Sequence, residues 1–262
     1  MSETASLIDA VEANDPAGVA EALQARPKLV HAFSERDCPH GLEQWLPLHR
    51  AAALGHAAAA RTLLAHGAQP DARTRFTNPY HARATPLHLA AEAGHEPIVT
   101  LLLEHDATLE VRDAHERSPL ARAARHGWLD VLDRLLAAGA MVDPPNAASQ
   151  TPLHEAIAAS EVEPDTVRSV TDRLIQAGAD VNARCRHDPA AFTPLHRCVL
   201  MGPSRLSVAR DLLEAGADPT IADPAHGRTP LELARHRASF NLAPPKAMLE
   251  LLQVPARPAS QR

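Results

Sequence analysis

The sequence is poor in aromatic residues and cysteine, and each scarcity excludes some classes of fold or cellular compartment. Aromatic residues make up 3% of the 262 residues, while alanine and leucine supply most of the apolar side chains. Apolar residues of this small or straight-chain kind favour packed helices over sheets. The three cysteines are an odd number and lie far apart, which indicates free thiols in a reducing compartment rather than a disulfide framework.

Lysine is also scarce, since Lys28 and Lys246 are the only two and nearly all basic residues are arginine, and the formal net charge is −6. This charge disfavours a nucleic-acid partner, whose phosphates attract basic proteins. No apolar run approaches the roughly 18 residues that a membrane span requires. The first residues lack the apolar core of a signal peptide. We therefore expect a cytoplasmic protein without a membrane or nucleic-acid partner.

A Pro-Leu pair recurs six times and defines the main pattern of the chain. The prolines are separated by 39, 33, 33, 42 and 36 residues and lie at Pro47, Pro86, Pro119, Pro152, Pro194 and Pro230. A period of 33 residues with insertions explains these spacings. The clearest copy reads Thr-Pro-Leu-His-Leu-Ala-Ala over residues 85–91, then Gly94-His95, a Leu-Leu-Leu stretch and a turn.

Each part of the repeat predicts a local structure. A threonine before the proline can cap a helix, and proline suits the first helical position. Glycine after the second helix can end that helix in the left-handed region. A histidine that recurs in the first turn indicates a structural hydrogen bond to nearby backbone rather than a ligand or a base, since a functional site occurs once; this histidine is His49, His88, His154 and His196.

These motifs closely resemble ankyrin repeats. The resemblance implies an all-α ankyrin-repeat solenoid of about seven units including both caps, with helix pairs, projecting β-turn fingers and a concave groove. The chain departs from the family pattern at four positions. Leu46 replaces the capping threonine, Ala121 and Glu232 replace the histidine, and Asp106 replaces the terminal glycine.

We expect a single, monomeric ankyrin-repeat domain over residues 1–253. Residues 5–45 form an N-terminal cap and a long finger, residues 46–228 form five repeats with lengthened fingers, and residues 229–253 form a C-terminal cap. Residues 254–262 are expected to be a disordered tail, because they hold prolines and polar residues.

Three fingers are longer than the others and carry most of the aromatic residues. They span residues 33–45, 73–83 and 184–192, and a further insertion between two helices lies near residues 160–165. Five of the seven aromatic residues lie in these fingers: Phe33, Trp45, Phe76, Tyr80 and Phe192. They either contact a partner or fold back over their own loops. Trp128, by contrast, is expected to pack between repeats.

The resemblance also indicates which residues face the groove. These are the residue before each helix cap and the residues at the end of each first helix. With the long fingers they predict partner contacts at Trp45, Leu54, Phe76, Tyr80, Arg83, Arg117, Arg125, His126, Phe192, Leu200 and Met201. Apolar anchors at both ends and a basic middle favour a partner with an acidic, partly apolar face. The arginines could instead form a solvated face.

The sequence offers little for catalysis or for a metal. It contains no glycine-rich phosphate loop and no Gly-x-Ser-x-Gly motif, and His154-Glu155 lacks the second histidine of a zinc protease motif. Cys38-Pro39-His40 and Cys185-Arg186-His187 resemble zinc half-sites. They lie about four repeats apart, on the order of 40 Å at the usual spacing of packed helices, too far to share one ion.

The sequence therefore predicts a protein–protein interaction module, an adaptor or an inhibitor, without cofactor or catalysis. The alternative is an enzyme or effector activity in the inserted fingers. An enzyme would need titratable groups that converge in a pocket, whereas a binding protein needs a broad open surface.

Overall fold

A computed structural model describes residues 3–33, 45–75, 81–185, 192–239 and 246–253. The described residues form short helices that follow one another in pairs. The α-helices are α1 (Glu3–Glu12), α2 (Pro16–Ala25), α3 (Pro47–Leu54), α4 (Ala57–Ala65), α5 (Pro86–Ala93), α6 (Glu96–Glu104), α7 (Pro119–His126), α8 (Leu129–Ala137), α9 (Pro152–Ala158), α10 (Pro164–Gln176), α11 (Pro194–Met201), α12 (Leu206–Glu214), α13 (Pro230–Ser239) and α14 (Lys246–Leu252). Single 3₁₀ turns lie at Pro27–His31 and Gly202–Arg205.

The chain divides into two compact units. The first unit comprises Met1–Ala123 and Asp130–Met141, and the second comprises Ala124–Leu129 and Val142–Arg262. Within the first unit, α1, α3 and α5 pack in sequence, as do α2, α4 and α6. Within the second, α9, α11 and α13 pack in sequence, as do α10, α12 and α14. First helices thus stack on first helices, and second helices on second helices, as in the expected all-α ankyrin fold.

Small and branched apolar residues fill the space between the stacked helices. Leu87 is fully buried on α5, and the alanine pairs Ala51-Ala52 and Ala90-Ala91 are fully buried as well. Alanine at these positions lets neighbouring helices approach closely. The apolar half of the repeat is therefore core, as the pattern predicts.

The helix ends also agree with the sequence. Gly67 adopts φ +87° after α4, and Asp106 adopts φ +59° at the corresponding point after α6. Aspartate tolerates this left-handed region better than most residues, so it can replace the glycine. At the N-terminal pair, Asp15 caps α2 by accepting the Ala17 N–H at 3.0 Å. This segment therefore consists of two short helices, α1 and α2.

The recurring histidine connects the start of its own helix to the next finger. His88 Nε2 lies 3.0 Å from the Arg117 carbonyl oxygen, which can only accept, so Nε2 carries the hydrogen. The free Nδ1 accepts from the Thr85 N–H at 3.2 Å and the Thr85 hydroxyl at 2.9 Å. His49 and His196 make the same bond to the carbonyls of Ala72 and Arg228, at 2.9 and 3.0 Å. The predicted backbone bond is confirmed for these three histidines.

Burial keeps these imidazoles neutral. It lowers the pKa of His49 to about 4 and, with the nearby Arg122 charge, the pKa of His88 to about 3. Burial also lowers the pKa of His196. A neutral imidazole has one donor and one acceptor, which are the two roles that this position requires.

Two departures from the repeat are compensated by other groups. Glu232 takes the place of the histidine, and its carboxylate accepts from the Thr229 N–H at 2.8 Å and the Thr229 hydroxyl at 3.0 Å. Where leucine replaces threonine, the Leu46 N–H still donates to His49 Nδ1 at 3.1 Å. The capping function is thus retained even where the usual residue is absent.

The insertion near residues 160–165 is shared between a loop and a helix. Helix α10 begins at Pro164 and has 13 residues, four more than the nine of α8. The rest of the insertion lengthens the connection from α9, which ends at Ala158 without a left-handed glycine. The buried Arg205 guanidinium donates to the carbonyls of Ile157, at 2.9 Å, and Ala159, and fixes this end.

Two further expectations concern the C-terminal tail and membrane spans. The tail at residues 254–262 lies outside the described residues, and its disorder stays a prediction. No described helix is long and apolar enough to cross a membrane.

We predict that Leu87→Ala lowers the free energy of unfolding by about 2–5 kcal/mol, because it leaves a cavity in the core. The matched control is Leu54→Ala, since Leu54 is 45% exposed in the same unit and its truncation should cost much less. Urea denaturation followed by far-UV circular dichroism measures both. Equal midpoints for the two variants would contradict the assignment of Leu87 to the core.

We also predict that stability falls as the pH is lowered from about 6.5 towards 4. The unfolded histidine binds a proton near its ordinary pKa, while folded His49 and His88 stay neutral down to about 4 and 3. Each such group contributes a slope of about 1.4 kcal/mol per pH unit in this window. Urea midpoints at pH 7, 6 and 5 should therefore decrease.

His88→Gln should reduce the slope of the unfolding free energy against pH by the contribution of one histidine, about 1.4 kcal/mol per pH unit. The control is His105→Gln, at an exposed position. If both variants kept the wild-type slope, the buried histidines would not be the groups that oppose protonation.

Candidate interaction surface

Two of the predicted contact residues are buried rather than exposed. Trp45 is 7% exposed, and its ring meets His81 edge-on with 5.8 Å between ring centroids. Phe192 is 8% exposed, and its ring meets His196 in the same way at 6.4 Å. The expected exposure is therefore wrong for Trp45 and Phe192. Phe192 folds back over its own finger, the alternative that the sequence left open, whereas Trp45 packs against His81 of the second finger.

Backbone pairing explains why Phe192 turns inward. The Cys185 N–H donates to the Phe192 carbonyl at 2.8 Å, which closes the finger at its base. The Cys185 thiol donates to the Ala148 carbonyl at 2.8 Å, so the base is also tied to the preceding finger. The Arg184 guanidinium lies 5.6 Å from the centroid of the Phe192 ring. The Phe192 ring thus packs at the base of its finger, beside Arg184 and Cys185.

Trp128 shows the opposite departure. It was expected to pack between repeats, but 43% of its side chain is exposed. Phe76 and Tyr80 lie outside the described residues, so their contacts stay a prediction. Arg83 is exposed, with φ +59° at the end of the second finger.

In the first unit, Leu54 is the exposed apolar candidate, at the last position of α3. Arg117 lies before the cap of α7, and only 14% of its side chain is exposed. Its Nε donates to the Asp113 carboxylate at 3.3 Å. Arg117 therefore presents a neutralised, partly covered guanidinium rather than an open positive charge.

Asp113 is the centre of a buried ion-pair network. The Arg122 guanidinium is 2% exposed and donates to the Asp113 carboxylate at 2.8 and 3.1 Å. Arg122 also donates to Glu92, whose second oxygen lies 3.4 Å from His81. Burial by itself raises the pKa of Asp113, but the positive charge of Arg122 and further hydrogen bonds hold it below its usual range. Asp113 is therefore ionised and paired at neutral pH.

Sequence reasoning missed this network, although a signal for it exists. A charged residue directly precedes a buried alanine of the first helix in several repeats, at Arg50, Arg122 and Glu155. A charge beside buried alanines needs a partner, because unpaired charges are rarely buried. Arg50 pairs with Glu12, and Arg122 with Asp113 and Glu92.

In the second unit, Arg125 and His126 are exposed at the end of α7. Arg125 is 44% exposed and pairs with the buried Glu155 carboxylate at 2.7 Å. Asn146 donates to the other Glu155 oxygen at 2.7 Å. Leu200 and Met201 are half-buried at the end of α11. This unit thus carries polar and apolar candidates at the ends of its first helices.

The described residues contain no group of three or more histidine, cysteine or acidic side chains that could hold a metal ion. Cys185 and Cys198 are buried free thiols, and burial raises the pKa of Cys198. Cys38, His40 and His187 lie outside the described residues. Of the two cysteine–histidine half-sites, only Cys185 lies within the described residues.

Comparison with known families agrees with this architecture. Family models of the ankyrin repeat match residues 7–113 and 72–146, in a form that covers three copies, and residues 148–186 and 192–224 as single repeats. The matched segments include more than half of the chain. The chain therefore belongs to the ankyrin-repeat family, whose repeats are protein–protein interaction modules.

One curated relative is the human protein named Ankyrin repeat and SOCS box protein 16. It is 34% identical over 122 residues, which are 47% of this chain and 24% of that protein. The chain thus matches about a quarter of this relative's length. The similarity extends over repeats and does not transfer the relative's other parts.

We predict that Arg122→Met lowers the free energy of unfolding by about 3–5 kcal/mol, because it leaves the buried Asp113 carboxylate without its main partner. Arg61→Met, at an exposed position of α4 in the same unit, is the control and should have little effect. Urea denaturation of both variants provides the measurement. An Arg122 variant as stable as the control would show that the network is solvated rather than buried.

Proposed function

We propose that this chain is a non-catalytic adaptor or inhibitor that binds another protein through the ends of its first helices and its long fingers. The observation that carries the proposal is the exposure of Leu54, 45% exposed at the last position of a first helix. Contiguous exposed apolar area with a polar rim marks an interaction surface, and we assign Leu54 to such an area at the ends of the first helices.

The remaining exposed candidates suggest the chemistry of the partner. Arg83, Arg125 and His126 are exposed, while Leu200 and Met201 add half-buried apolar area. Arginine beside apolar side chains is typical of residues that contribute most to binding energy. Since Arg125 and Arg117 already pair with carboxylates, the exposed Arg83 is the cationic contact that we favour for an acidic, partly apolar face.

The buried finger aromatics have a supporting role in this proposal. Phe192 holds the base of its finger against α11 through His196, and Trp45 packs against His81 of the second finger, so that the bases of these fingers are fixed. Phe76 and Tyr80 are proposed as direct contacts. Family membership supports a binding role over catalysis, and the free thiols support a cytoplasmic location.

The proposal is tested by affinity capture from lysate of the source cell, with quantitative mass spectrometry across matched variants. Leu54→Glu and Met201→Ala are compared with Met141→Glu, because Met141 is 57% exposed but lies outside the first-helix ends. A true partner should be lost with the first two variants and retained with the third. Its affinity for purified Leu54→Glu should be at least about tenfold weaker, which corresponds to roughly 1.4 kcal/mol.

Each variant must keep the wild-type melting temperature, so that a lost partner reflects weaker binding rather than unfolding. If every captured protein bound all three variants like the wild type, the interface would lie on other surfaces and the first-helix ends would not be the site.

A further inference from the structure

Trp128 occupies a position that two other repeats give to a histidine. His56 and His95 follow the glycine after α3 and α5, just as Trp128 follows Gly127 after α7. Both histidines are half-buried and bond to a backbone carbonyl, His56 to Val11 at 2.8 Å and His95 to Ala53 at 3.1 Å. Trp128 is instead 43% exposed. A residue type suited to burial is thus presented at the surface where the repeat uses a structural residue.

The long connection after α9 packs against the turn that carries Trp128. Residues 55–56 and 94–95 connect the helices of two other pairs, whereas residues 159–163 connect α9 to α10. A Cβ placed on Gly127 would lie 2.7 Å from a Val162 methyl carbon and 3.0 Å from one of Thr166. Gly127 is therefore required here, because any side chain would push the connection away. The turn that carries Trp128 and the connection are therefore in contact within the second unit.

The connection beside this turn is acidic. Ser160, Glu161 and Glu163 are exposed, while Val162 is half-buried with its side chain towards Gly127. Asp165, in the first turn of α10, adds a third carboxylate. Negative charge is well tolerated at a helix N-terminus, so the acidic residues can be held there without loss of stability. No basic residue occurs between residues 160 and 165.

The connection is also held firmly at its beginning. Arg205 is 2% exposed, and its guanidinium donates to the carbonyls of Ile157 and Ala159. The charge of Arg205 is therefore directed into the protein and does not neutralise the exposed carboxylates. A surface fixed in this way loses little conformational entropy when a partner binds.

We propose that Trp128, Glu161, Val162 and Glu163 form a second binding surface, the insertion surface, for a basic segment of a partner protein. An arginine or lysine of the segment lies on the face of Trp128, where cations are attracted to the ring. The carboxylates of Glu161 and Glu163 attract the same charge, and an apolar side chain of the segment covers Val162. This surface adjoins the end of α7, where His126 lies two residues before Trp128, but its carboxylates favour a basic rather than an acidic partner segment.

The test uses phage-displayed peptides that tile the proteome of the source organism, selected on the full chain. The expected peptides carry net positive charge and an arginine or lysine next to an apolar residue. The tightest peptide is then measured against purified variants at low and physiological salt. Binding should weaken as salt rises, because it involves exposed charges.

Trp128→His is the central variant, since it restores the residue type that other repeats accommodate at this position. It should keep the wild-type melting temperature and weaken peptide binding at least about tenfold. Glu161→Gln combined with Glu163→Gln should weaken binding severalfold and reduce its salt dependence. The control is Glu104→Gln, an exposed carboxylate on α6, which should bind like the wild type.

Three outcomes would overturn the proposal. The first is a selection that yields no peptide, or only neutral and acidic peptides. The second is a Trp128→His variant that binds the peptide within about twofold of the wild type. The third is concentration-dependent self-association of the wild type that Trp128→His abolishes. The last outcome would identify a second copy of the chain, rather than a basic segment, as the occupant.

Discussion

The hydrogen bond from a buried histidine to the carbonyl of the next finger is the interaction on which the regular part of the structure depends. It connects the first turn of one helix to a finger 23 residues further on for His49, 29 for His88 and 32 for His196. Each such bond contributes only about 0.5–1.5 kcal/mol net. Its loss costs more, because the threonine cap and the finger carbonyl would both be left buried without a partner.

The exceptions to this bond show what the fold tolerates. Ala121 cannot form it, and in that repeat the adjacent Arg122 enters the core and pairs with Asp113 at the base of the finger. Glu232 caps its own helix through a carboxylate instead of an imidazole. Arg205 replaces a left-handed glycine as the group that satisfies the end of α9. In each case another polar side chain satisfies the backbone, so the helix pair is kept while the surface above it is free to vary.

Much of the fold follows from local sequence. The left-handed residue after the second helix acts within a few residues and behaves as predicted, and Thr193 and Ser118 cap their helices through the side-chain oxygen. The recurring histidine makes the predicted backbone bond, which reaches the next finger. The candidate site was harder to predict. The length of a finger gives no direction for its side chains. Phe192 turns inward at a finger that backbone pairing closes, and Trp45 packs against His81 of the second finger. Arg122 and Glu92 are 30 residues apart, so their contact depends on the stacking of repeats.

The exposure of Trp128 could not be predicted for the same reason, since it depends on contacts between distant parts of the chain. Its position in the repeat suggests packing, but its exposure depends on what lies around that turn in three dimensions. Residues that keep the repeat pattern are thus read reliably from sequence, while residues that break it need the structure. The candidate binding surfaces, at Leu54 and around Trp128, belong largely to the second group.

The central claim is that the recurring histidines are neutral structural connectors with the hydrogen on Nε2. Long-range ¹H–¹⁵N correlation spectra of the ¹⁵N-labelled chain at pH 7 and pH 5 test it most directly. His49 and His88 should show the neutral Nε2–H form at both values, since their pKa values are about 4 and 3. Protonated rings at pH 5, or the Nδ1–H form at pH 7, would contradict the account.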